Sequence, residues 1–271
     1  MKISVIMSTY NAESWLEKVL IGFSCQTFTD FEVVVADDGS REPTKQLIER
    51  LRTELNIPIV HVWQADNGFQ KSQILNKAIV AASGEYLVFT DGDCIPRKDF
   101  LEVHNHYKEE GYFLSGGYFK LPMDISLAIT KENILNQDCF NVKWLKSKGK
   151  IPNFKNMKLK TTGMVSKLLN SITPTNASWN GHNASGWKKD LVAINGFNQE
   201  MQYGGQDREL GERLFNSGLK SKQIRYSAIV VHLDHKRGYV NEETWKKNFD
   251  IRENTRKNKV VKTPIGIESN S

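Results

Sequence analysis

Short apolar segments alternate with segments of helical spacing throughout the first hundred residues of this chain. The apolar segments have the length of buried strands, and the segments between them carry apolar side chains at intervals of three and four residues. The predicted strands are 3–8, 31–36, 59–63 and 86–90, and the predicted helices are 12–23, 43–55 and 71–82. This order predicts an α/β fold with a mostly parallel central sheet flanked by crossover helices.

The composition is that of an ordinary globular protein. Of 271 residues, 39% are apolar and 25% are charged, and no apolar run is long enough to cross a bilayer. The first apolar segment ends at Ser8, which is too short for a signal peptide, so we expect a first strand. Three cysteines without disulfide or metal-type spacing favour a cytoplasmic setting.

The formal charge and its distribution narrow the expected partners. A net charge of +6 suits a polyanionic ligand or an anionic membrane surface, but it is too small to indicate nucleic acid. Residues 120–170 contain ten lysines against three acidic side chains. This segment is expected to be helical and to form either a solvated face or a peripheral contact with a membrane or acceptor.

The alternating pattern weakens after residue 118 and returns near residue 177. A short helix at 188–194, a helix at 206–217 closed by Gly218 and a strand at 227–232 are expected. The predicted organisation has four parts in chain order. They are a first half (1–118), a basic helical insertion (119–176), a second half (177–240) and a basic, helical C-terminal tail (241–271).

Polar clusters follow the predicted strands or open a helix. Asn11 follows the first strand, Asp37 and Asp38 follow the second, and the sequence DGD at 91–93 follows the fourth. Gln70 and Lys71 open the third helix. Because the carboxyl ends of parallel strands lie at one edge of a sheet, these clusters are expected to meet at one crevice.

Two carboxylates one residue apart suit a divalent cation. Asp91 and Asp93 provide hard oxygen ligands for Mg²⁺ or Mn²⁺, although an Asp-Gly pair is also a common turn. Asp38 is placed to accept a hydrogen bond from a base or a ribose hydroxyl. The chain has neither a GxGxxG motif nor a P-loop motif, which argues against a dinucleotide dehydrogenase and a P-loop nucleotidase.

At this point the chain resembles the family 2 glycosyltransferases of the GT-A fold. The resemblance rests on SVIMSTYN at 4–11, VVVADDGS at 33–40, NGFQK at 67–71 and YLVFTDGD at 86–93. In the second half, GHNAS at 181–185, INGF at 194–197 and YGGQDREL at 203–210 are similar to galactosyl- and N-acetylgalactosaminyltransferases. The resemblance implies an inverting transferase that uses a UDP-sugar and Mn²⁺ or Mg²⁺.

The resemblance implies that residues 1–118 are the nucleotide-sugar-binding half of a GT-A domain and that residues 177–240 are its acceptor-binding and catalytic half. Carried over by position, it also implies a set of site residues. Nucleotide-sugar binding is implied for Thr9, Tyr10, Asn11, Asp37, Asp38, Gln70, Lys71, Asn76, Asp91 and Gly92. Acceptor or sugar binding is implied for Asn183, Trp187, Tyr203, Gly204, Gly205 and Gln206. Metal binding is implied for Asp91, Asp93 and His232, with His235 as the alternate. Gln206 stands where the family usually has Glu, so any acceptor role there is limited to hydrogen bonding.

Asp207 occupies the position where the family has its catalytic base. Inversion needs one carboxylate to take the proton of the acceptor hydroxyl, and a helix N-terminus keeps a nearby Asp ionised. Without the resemblance, a helix cap is the first explanation for Asp207. The expected reaction moves a hexose or N-acetylhexosamine from a UDP-sugar to a hydroxyl of a surface glycan, at the inner face of a bacterial membrane. The alternatives are a sugar nucleotidyltransferase and a non-catalytic glycan- or nucleotide-binding module.

Overall fold

Strands and helices alternate along the chain in a computed structural model, which describes residues 2–151, 156–235 and 242–270. The strands in this part are β1 Ile3–Thr9, β2 Phe31–Asp37, β3 Ile59–Trp63, β4 Tyr86–Asp91, β5 Cys94–Pro96, β6 Tyr112–Ser115, β7 Gly117–Lys120, β8 Ala184–Trp187, β9 Lys220–Gln223 and β10 Ile229–His232. The α-helices are α1 Glu13–Ser24, α2 Glu42–Glu54, α3 Lys71–Ala81, α4 Phe100–Tyr107, α5 Met123–Ala128, α6 Lys131–Leu135, α7 Val142–Ser147, α8 Met157–Lys160, α9 Gly163–Ile172, α10 Lys188–Ala193, α11 Gln206–Asn216 and α12 Glu242–Lys257.

The central sheet has seven strands in the order β3-β2-β1-β4-β8-β6-β9. β1, β2, β3 and β4 are mutually parallel, and β8 is antiparallel to both of its neighbours. The predicted α/β fold with a mostly parallel sheet and flanking helices is therefore confirmed.

The strand sequences explain why this sheet is covered on both faces. Successive side chains point to opposite sides of a strand. On β1, Val5 and Met7 belong to one apolar cluster and Ile6 belongs to another, and on β2 Val33 and Val34 divide in the same way. Continuous apolar runs are therefore needed, because each residue of these strands faces a layer of helices.

The elements of residues 119–176 belong to the same core as the sheet. β7 runs across the predicted boundary at 118, and α5 to α9 follow it. Ile125, Cys139 and Leu145 are buried in the cluster that also contains Val5. The insertion is helical as expected, and residues 152–155 lie outside the described residues.

A smaller sheet, in the order β5-β10-β7, places the end of β10 beside the end of β4. His232 pairs with Cys94 across the antiparallel ladder, and the Leu233 N–H donates to the Asp93 carbonyl at 2.9 Å. A residue more than 130 positions away in the chain is thereby fixed next to the DGD sequence.

The tail contains α12, which packs on α11. The expected helical character is present from Glu242, whereas Asn241 and residues 236–240 lie outside the described part. Among the described residues, no helix combines the length and the apolar character that a bilayer span requires.

Candidate active site

A cavity of about 720 Å³ opens at the carboxyl ends of β1, β2 and β4. Its walls include the segment that follows β1, the start of α3, the DGD sequence and the end of β10. Residues predicted from the sequence that line this cavity are Thr9, Tyr10, Asn11, Asp38, Lys71, Asp91, Gly92, Asp93, Tyr203, His232 and His235. The predicted convergence of strand-end clusters on one crevice is thus observed.

Asp91 is held by two side chains from neighbouring elements. Its Oδ1 accepts hydrogen bonds from Lys71 Nζ at 2.6 Å and from Ser8 Oγ at 2.9 Å. Burial disfavours the ionised carboxylate, but the charge and hydrogen bond of Lys71 outweigh it, so the pKa of Asp91 lies below its ordinary value. Asp91 and Lys71 therefore form an ion pair at the cavity wall.

Asp93 lies beside two imidazoles. Its Oδ2 is 3.2 Å from His235 Nε2 and 3.8 Å from His232 Nε2. Burial raises the pKa of Asp93 above its ordinary value, while both histidines act in the opposite direction. Asp93, Cys94 and His232 form a group whose ligand atoms lie within 4.8 Å of one another. Asp91 is outside this group and paired with Lys71, so its predicted place among the metal ligands is not supported by the geometry.

The donor set fits a Mn²⁺ or Mg²⁺ ion better than a thiophilic one. The Cys94 thiol donates to Asp93 Oδ1 at 3.3 Å, and burial raises the pKa of this thiol well above its ordinary value. Sulfur is a soft ligand that suits a hard cation poorly, whereas a carboxylate suits Mn²⁺ or Mg²⁺, and imidazole is a ligand for transition metals rather than for Mg²⁺. Asp93, His232 and His235 are therefore the residues that would hold a divalent ion, and both predicted histidines reach the same carboxylate.

Asp38 lines the cavity at the end of β2, one residue beyond the strand. Its two oxygens accept from Gln64 Nε2 at 2.7 Å and from the Gln70 N–H at 2.9 Å. Burial raises the pKa of Asp38, and these two hydrogen bonds counteract the shift. Gln70 contributes its main chain rather than its side chain. The nearby Thr9 hydroxyl is buried and has no hydrogen-bond partner among the described residues, which leaves it available to a ligand.

Asp207 lies behind the loop that carries His182. Its Oδ2 accepts from the Gly181 N–H at 3.2 Å, and its Oδ1 accepts from the Arg208 N–H at 2.8 Å. Asp207 does not line the cavity itself, but it is near enough to contribute to raising the pKa of Lys71. Burial lowers the pKa of His182 to about 4, so this cavity residue is neutral at physiological pH.

Three of the predicted ligand-binding residues form hydrogen bonds with other parts of the protein. The Asn76 amide is buried and exchanges hydrogen bonds of 2.8 and 2.7 Å with the main chain of Phe197. Asn183 donates to the carbonyls of Gly117 and Ala228 and accepts from His104. The oxygens of Asp37 are bonded to His61 and to the Ser40 N–H. These three side chains form hydrogen bonds inside the protein and do not line the cavity, so the geometry gives no support for their predicted roles in ligand binding.

Two further predictions fail on position. Trp187 pairs with Tyr86, the first residue of β4, roughly 17 Å along the strand from Asp91. It was misassigned because β8 is antiparallel and ends at the opposite edge of the sheet. The Gln206 side chain turns inward and accepts from the Gly204 N–H at 3.0 Å. It therefore stabilises the turn before α11 rather than facing an acceptor.

Gly204 and Gly205 make a close approach, but the neighbour is α12. Both have positive φ, 114° and 84°. A Cβ at Gly204 would lie 3.1 Å from Trp245 Cε2, and one at Gly205 would lie 3.1 Å from Arg252 Cδ. Glycine is required at this turn both for the left-handed backbone and for the helix that packs against it.

Sequence reasoning did not single out Ser8, Trp15 and His182 as cavity residues. Ser8 is one residue before the predicted cluster and directly holds Asp91. His182 lies inside the GHNAS sequence, in which acceptor or sugar binding was predicted for Asn183 and not for His182. Trp15 belongs to the first turns of α1.

Comparison with known proteins identifies the family. The family model described as glycosyl transferase family 2 matches residues 4–162, and one described as N-terminal domain of galactosyltransferase matches residues 175–236. Poly(ribitol-phosphate) beta-N-acetylglucosaminyltransferase TarS of Staphylococcus aureus is 38% identical over 104 residues, which are 38% of this chain and 18% of TarS. Chondroitin synthase of Escherichia coli is 26% identical over 239 residues, covering 85% of this chain and 34% of that protein.

Solved structures share the fold. A TarS fragment in complex with UDP-GlcNAc superposes with a TM-score of 0.62 at 19% identity, covering 99% of this chain and 69% of that one. Mannosyltransferase PcManGT from Pyrobaculum calidifontis, in complex with GDP-Man and Mn²⁺, gives 0.57 at 21% identity, covering 88% and 58%. This chain spans only 18% to 34% of the two curated relatives above. Since the first family model covers more than half of the sequence, the chain belongs to glycosyl transferase family 2.

Proposed function

We propose that this family 2 chain transfers a hexose or N-acetylhexosamine from a UDP-sugar to a hydroxyl of a surface glycan, with inversion at the anomeric carbon. The observation that carries the proposal is the meeting of Asp38, Asp91, Asp93, His232 and His235 in one cavity, with Asp207 behind the adjacent loop. The proposed setting is the cytoplasmic side of a bacterial membrane.

The donor is assigned to the strand-end wall. Asp38, held by Gln64 and Gln70, is fixed to accept from the uracil N–H or a ribose hydroxyl. Lys71 is a compact cation that is already paired with Asp91, so it positions that carboxylate and adds positive charge near the diphosphate. A Mn²⁺ or Mg²⁺ ion held by Asp93 and the two histidines would supply charge neutralisation for the departing diphosphate.

Asp207 is assigned the proton transfer. The acceptor hydroxyl oxygen forms a bond to the anomeric carbon as the bond from that carbon to the diphosphate breaks, and its proton passes to the Asp207 carboxylate. The hydrogen bonds from Gly181 and Arg208 keep this side chain in one orientation. Asp207 lies in the first turn of α11.

The relatives support a UDP-linked donor and a cell-surface acceptor. TarS is named for N-acetylglucosaminyl transfer to poly(ribitol phosphate), and its fragment binds UDP-GlcNAc and UDP. Chondroitin synthase is named for the synthesis of a polysaccharide. These names support the donor and acceptor classes, and they leave the particular sugar and linkage to experiment.

A panel of UDP-sugars tests the proposal. One member should raise the melting temperature in Mn²⁺ by about 5 °C when its concentration is a hundred times Kd. EDTA should remove both this shift and the transfer of labelled sugar to a glycan acceptor, and added Mn²⁺ should restore them. The product anomer, read by NMR, should be opposite to that of the donor. Failure of every UDP-sugar to bind, or turnover indifferent to chelator, would overturn the proposal.

A further inference from the structure

A second cavity, also of about 720 Å³, lies beside the N-terminal half of α11. Its walls come from residues 175–178, from α11, from β9 and the turn after it, and from α12. Neither the sequence prediction nor the proposed donor site uses it.

The charges that line this cavity are unbalanced. Arg208, Arg225 and Arg252 face it, and Glu212 is its single acidic lining residue. Glu212 is already paired with Arg252 at 2.6 Å and lies 3.9 Å from Arg256. Among the described residues, neither Arg208 nor Arg225 forms an ion pair, so two guanidinium groups share the cavity without a counter-charge.

Arg225 shows the effect of this imbalance. Its guanidinium reaches only Thr175 Oγ1 and the Asn176 carbonyl, both at 3.5 Å, which is long for a hydrogen bond. Burial lowers the pKa of Arg225, and the like charge of Arg208 adds to this. An anion placed between the two arginines would remove the repulsion and satisfy donors that are otherwise poorly paired.

We propose that this second cavity binds a negatively charged oxyanion group of the acceptor, such as a phosphate or a carboxylate. The proposal rests on the proposed function, because it assigns the acceptor to the cavity next to Asp207. Arg208 follows Asp207 directly, and consecutive Cα atoms are about 3.8 Å apart. Residues 175–178 lead along the chain to Gly181, which donates to Asp207. An anchored acceptor unit would thus hold a hydroxyl near the base.

Direct binding of small anionic probes tests the assignment without turnover. Ribitol 5-phosphate and glucuronic acid, with neutral ribitol and glucose beside them, would be titrated into the full chain and followed by NMR. The anionic probes should perturb Arg208 and Arg225 signals, and the preferred one identifies phosphate or carboxylate as the group. Arg225→Gln and, separately, Arg208→Gln should weaken that binding about tenfold. Lys222→Gln is the matched control, because Lys222 precedes a lining residue of β9 and points to its other face.

The outcomes separate this proposal from the donor proposal. The anion-site proposal is supported if anionic probes bind better than neutral ones, if both arginine variants weaken this binding and if Lys222→Gln does not. If all three variants weaken binding equally, the attraction is non-specific and the proposal is overturned. It is also overturned if neutral probes bind as well as anionic ones, or if no probe binds. UDP binding in Mn²⁺ is measured on the same samples. If UDP binds and the anions do not, only the acceptor inference is contradicted. If the parent chain does not bind UDP, the donor proposal is contradicted.

A different observation concerns α9. Met164, Val165, Leu168 and Ile172 are 87, 58, 59 and 62% exposed and lie on one side of this helix. Lys160 and Lys167 are exposed beside them, and the sequence contains no Asp or Glu between Asp138 and Asp190. An apolar stripe bordered by lysines and free of acidic residues is suited to the interface of an anionic bilayer.

We infer that the exposed apolar side of α9 docks on an anionic lipid surface. The helix is followed directly by the residues that form the second cavity, so docking would bring the acceptor side towards the membrane. Vesicles of phosphatidylglycerol and phosphatidylcholine test this by co-sedimentation. Binding should rise with the anionic lipid and fall with salt, and Leu168→Glu should reduce it about tenfold. Val80→Glu is the control, since Val80 is 59% exposed on α3. Equal loss in both variants, absence of binding, or a dimer that Leu168→Glu dissociates would overturn the inference.

Discussion

The two sides of the active site are built in different ways. The donor wall, formed by Asp38, Asp91 and Asp93, follows the ends of parallel strands, and the pairing of Ser8 with Asp91 fixes its geometry. The proposed acceptor wall, formed by Asp207, Tyr203 and Trp245, comes from a helix start, a glycine turn and α12. There, Asn248 of α12 donates to the Tyr203 and Gly204 carbonyls at 3.1 and 2.9 Å. Strand pairing thus sets the geometry of the first wall, whereas the packing of α12 on α11 sets that of the second.

The largest effect is expected from Asp207→Asn on the acceptor wall. Removing the proton acceptor should lower the transfer rate about 10³-fold, while UDP binding in Mn²⁺ stays unchanged because Asp207 does not line the donor cavity. Single-turnover transfer and UDP titration measure the two effects separately. Asp124→Asn, an exposed change in the first turn of α5, serves as the control. A rate within a few-fold of the parent chain would remove Asp207 from the proposed mechanism.

The next effect concerns the donor wall. Asp93→Asn should weaken Mn²⁺ binding at least about 100-fold, because the carboxylate is the common neighbour of both histidines. Cys94→Ala removes the third member of the same cluster, yet it should leave Mn²⁺ affinity within about twofold, since sulfur is a soft ligand and Mn²⁺ prefers oxygen ligands. Paramagnetic resonance titration of Mn²⁺ distinguishes the two variants. Similar losses in both would mean that sulfur takes part in the site.

The donor wall could be predicted from the sequence because parallel topology makes strand ends converge. The predicted strand at 59–63 coincides with β3, and those at 31–36 and 86–90 are each one residue short of β2 and β4. β9, with the sequence KSKQ, could not be predicted, because its pairing with β6 rather than its own polarity makes it a strand. Its four residues carry no apolar alternation.

The acceptor side could be predicted only in part. The glycine turn and Asp207 were found through the resemblance, but the partners of Gly204 lie on α12, about forty residues further along the chain. The structural role of Asn183 could not be predicted, because a polar residue in a motif can either bind substrate or hold the fold together. Its amide is hydrogen-bonded to Gly117, Ala228 and His104, and these contacts are set by tertiary packing.

A buried hydrogen-bond chain joins the elements behind the two walls, and it should respond to acid. His104 Nδ1 is 2.7 Å from Ser185 Oγ, and Nε2 is 3.0 Å from Asn183 Oδ1. The Asn183 NH₂ group donates elsewhere, so Nε2 donates to its oxygen and Nδ1 accepts from Ser185. A neutral imidazole therefore fits this position, and burial disfavours the protonated form.

Burial lowers the pKa of His104 from 6.5 to about 4 in the folded protein. The stabilisation from this group is complete above pH 6.5 and is lost as the pH falls towards 4, because the unfolded chain takes up the proton first. The free energy of unfolding should drop by about 2 kcal/mol between pH 8 and pH 5 from this residue alone. Denaturant titrations of the parent chain, His104→Gln and His106→Gln test this. His104→Gln should flatten the dependence, whereas a slope unaltered in that variant would contradict the assignment.

The smallest effect is expected from Trp245→Ala, which tests whether the acceptor wall extends to α12. The Trp245 ring is half exposed, packs over Gly204 and lies 6.4 Å from the ring of Tyr203, which lines the cavity. Loss of a stacked sugar ring should raise the acceptor KM about tenfold and leave the donor KM unchanged. Phe249→Ala is the matched control, because Phe249 is exposed one turn further along the same helix. If both variants change the acceptor KM equally, α12 acts through its packing on α11. If only the Trp245 variant changes the acceptor KM, the acceptor-binding wall includes Trp245, a residue of α12 whose position cannot be predicted from the sheet topology.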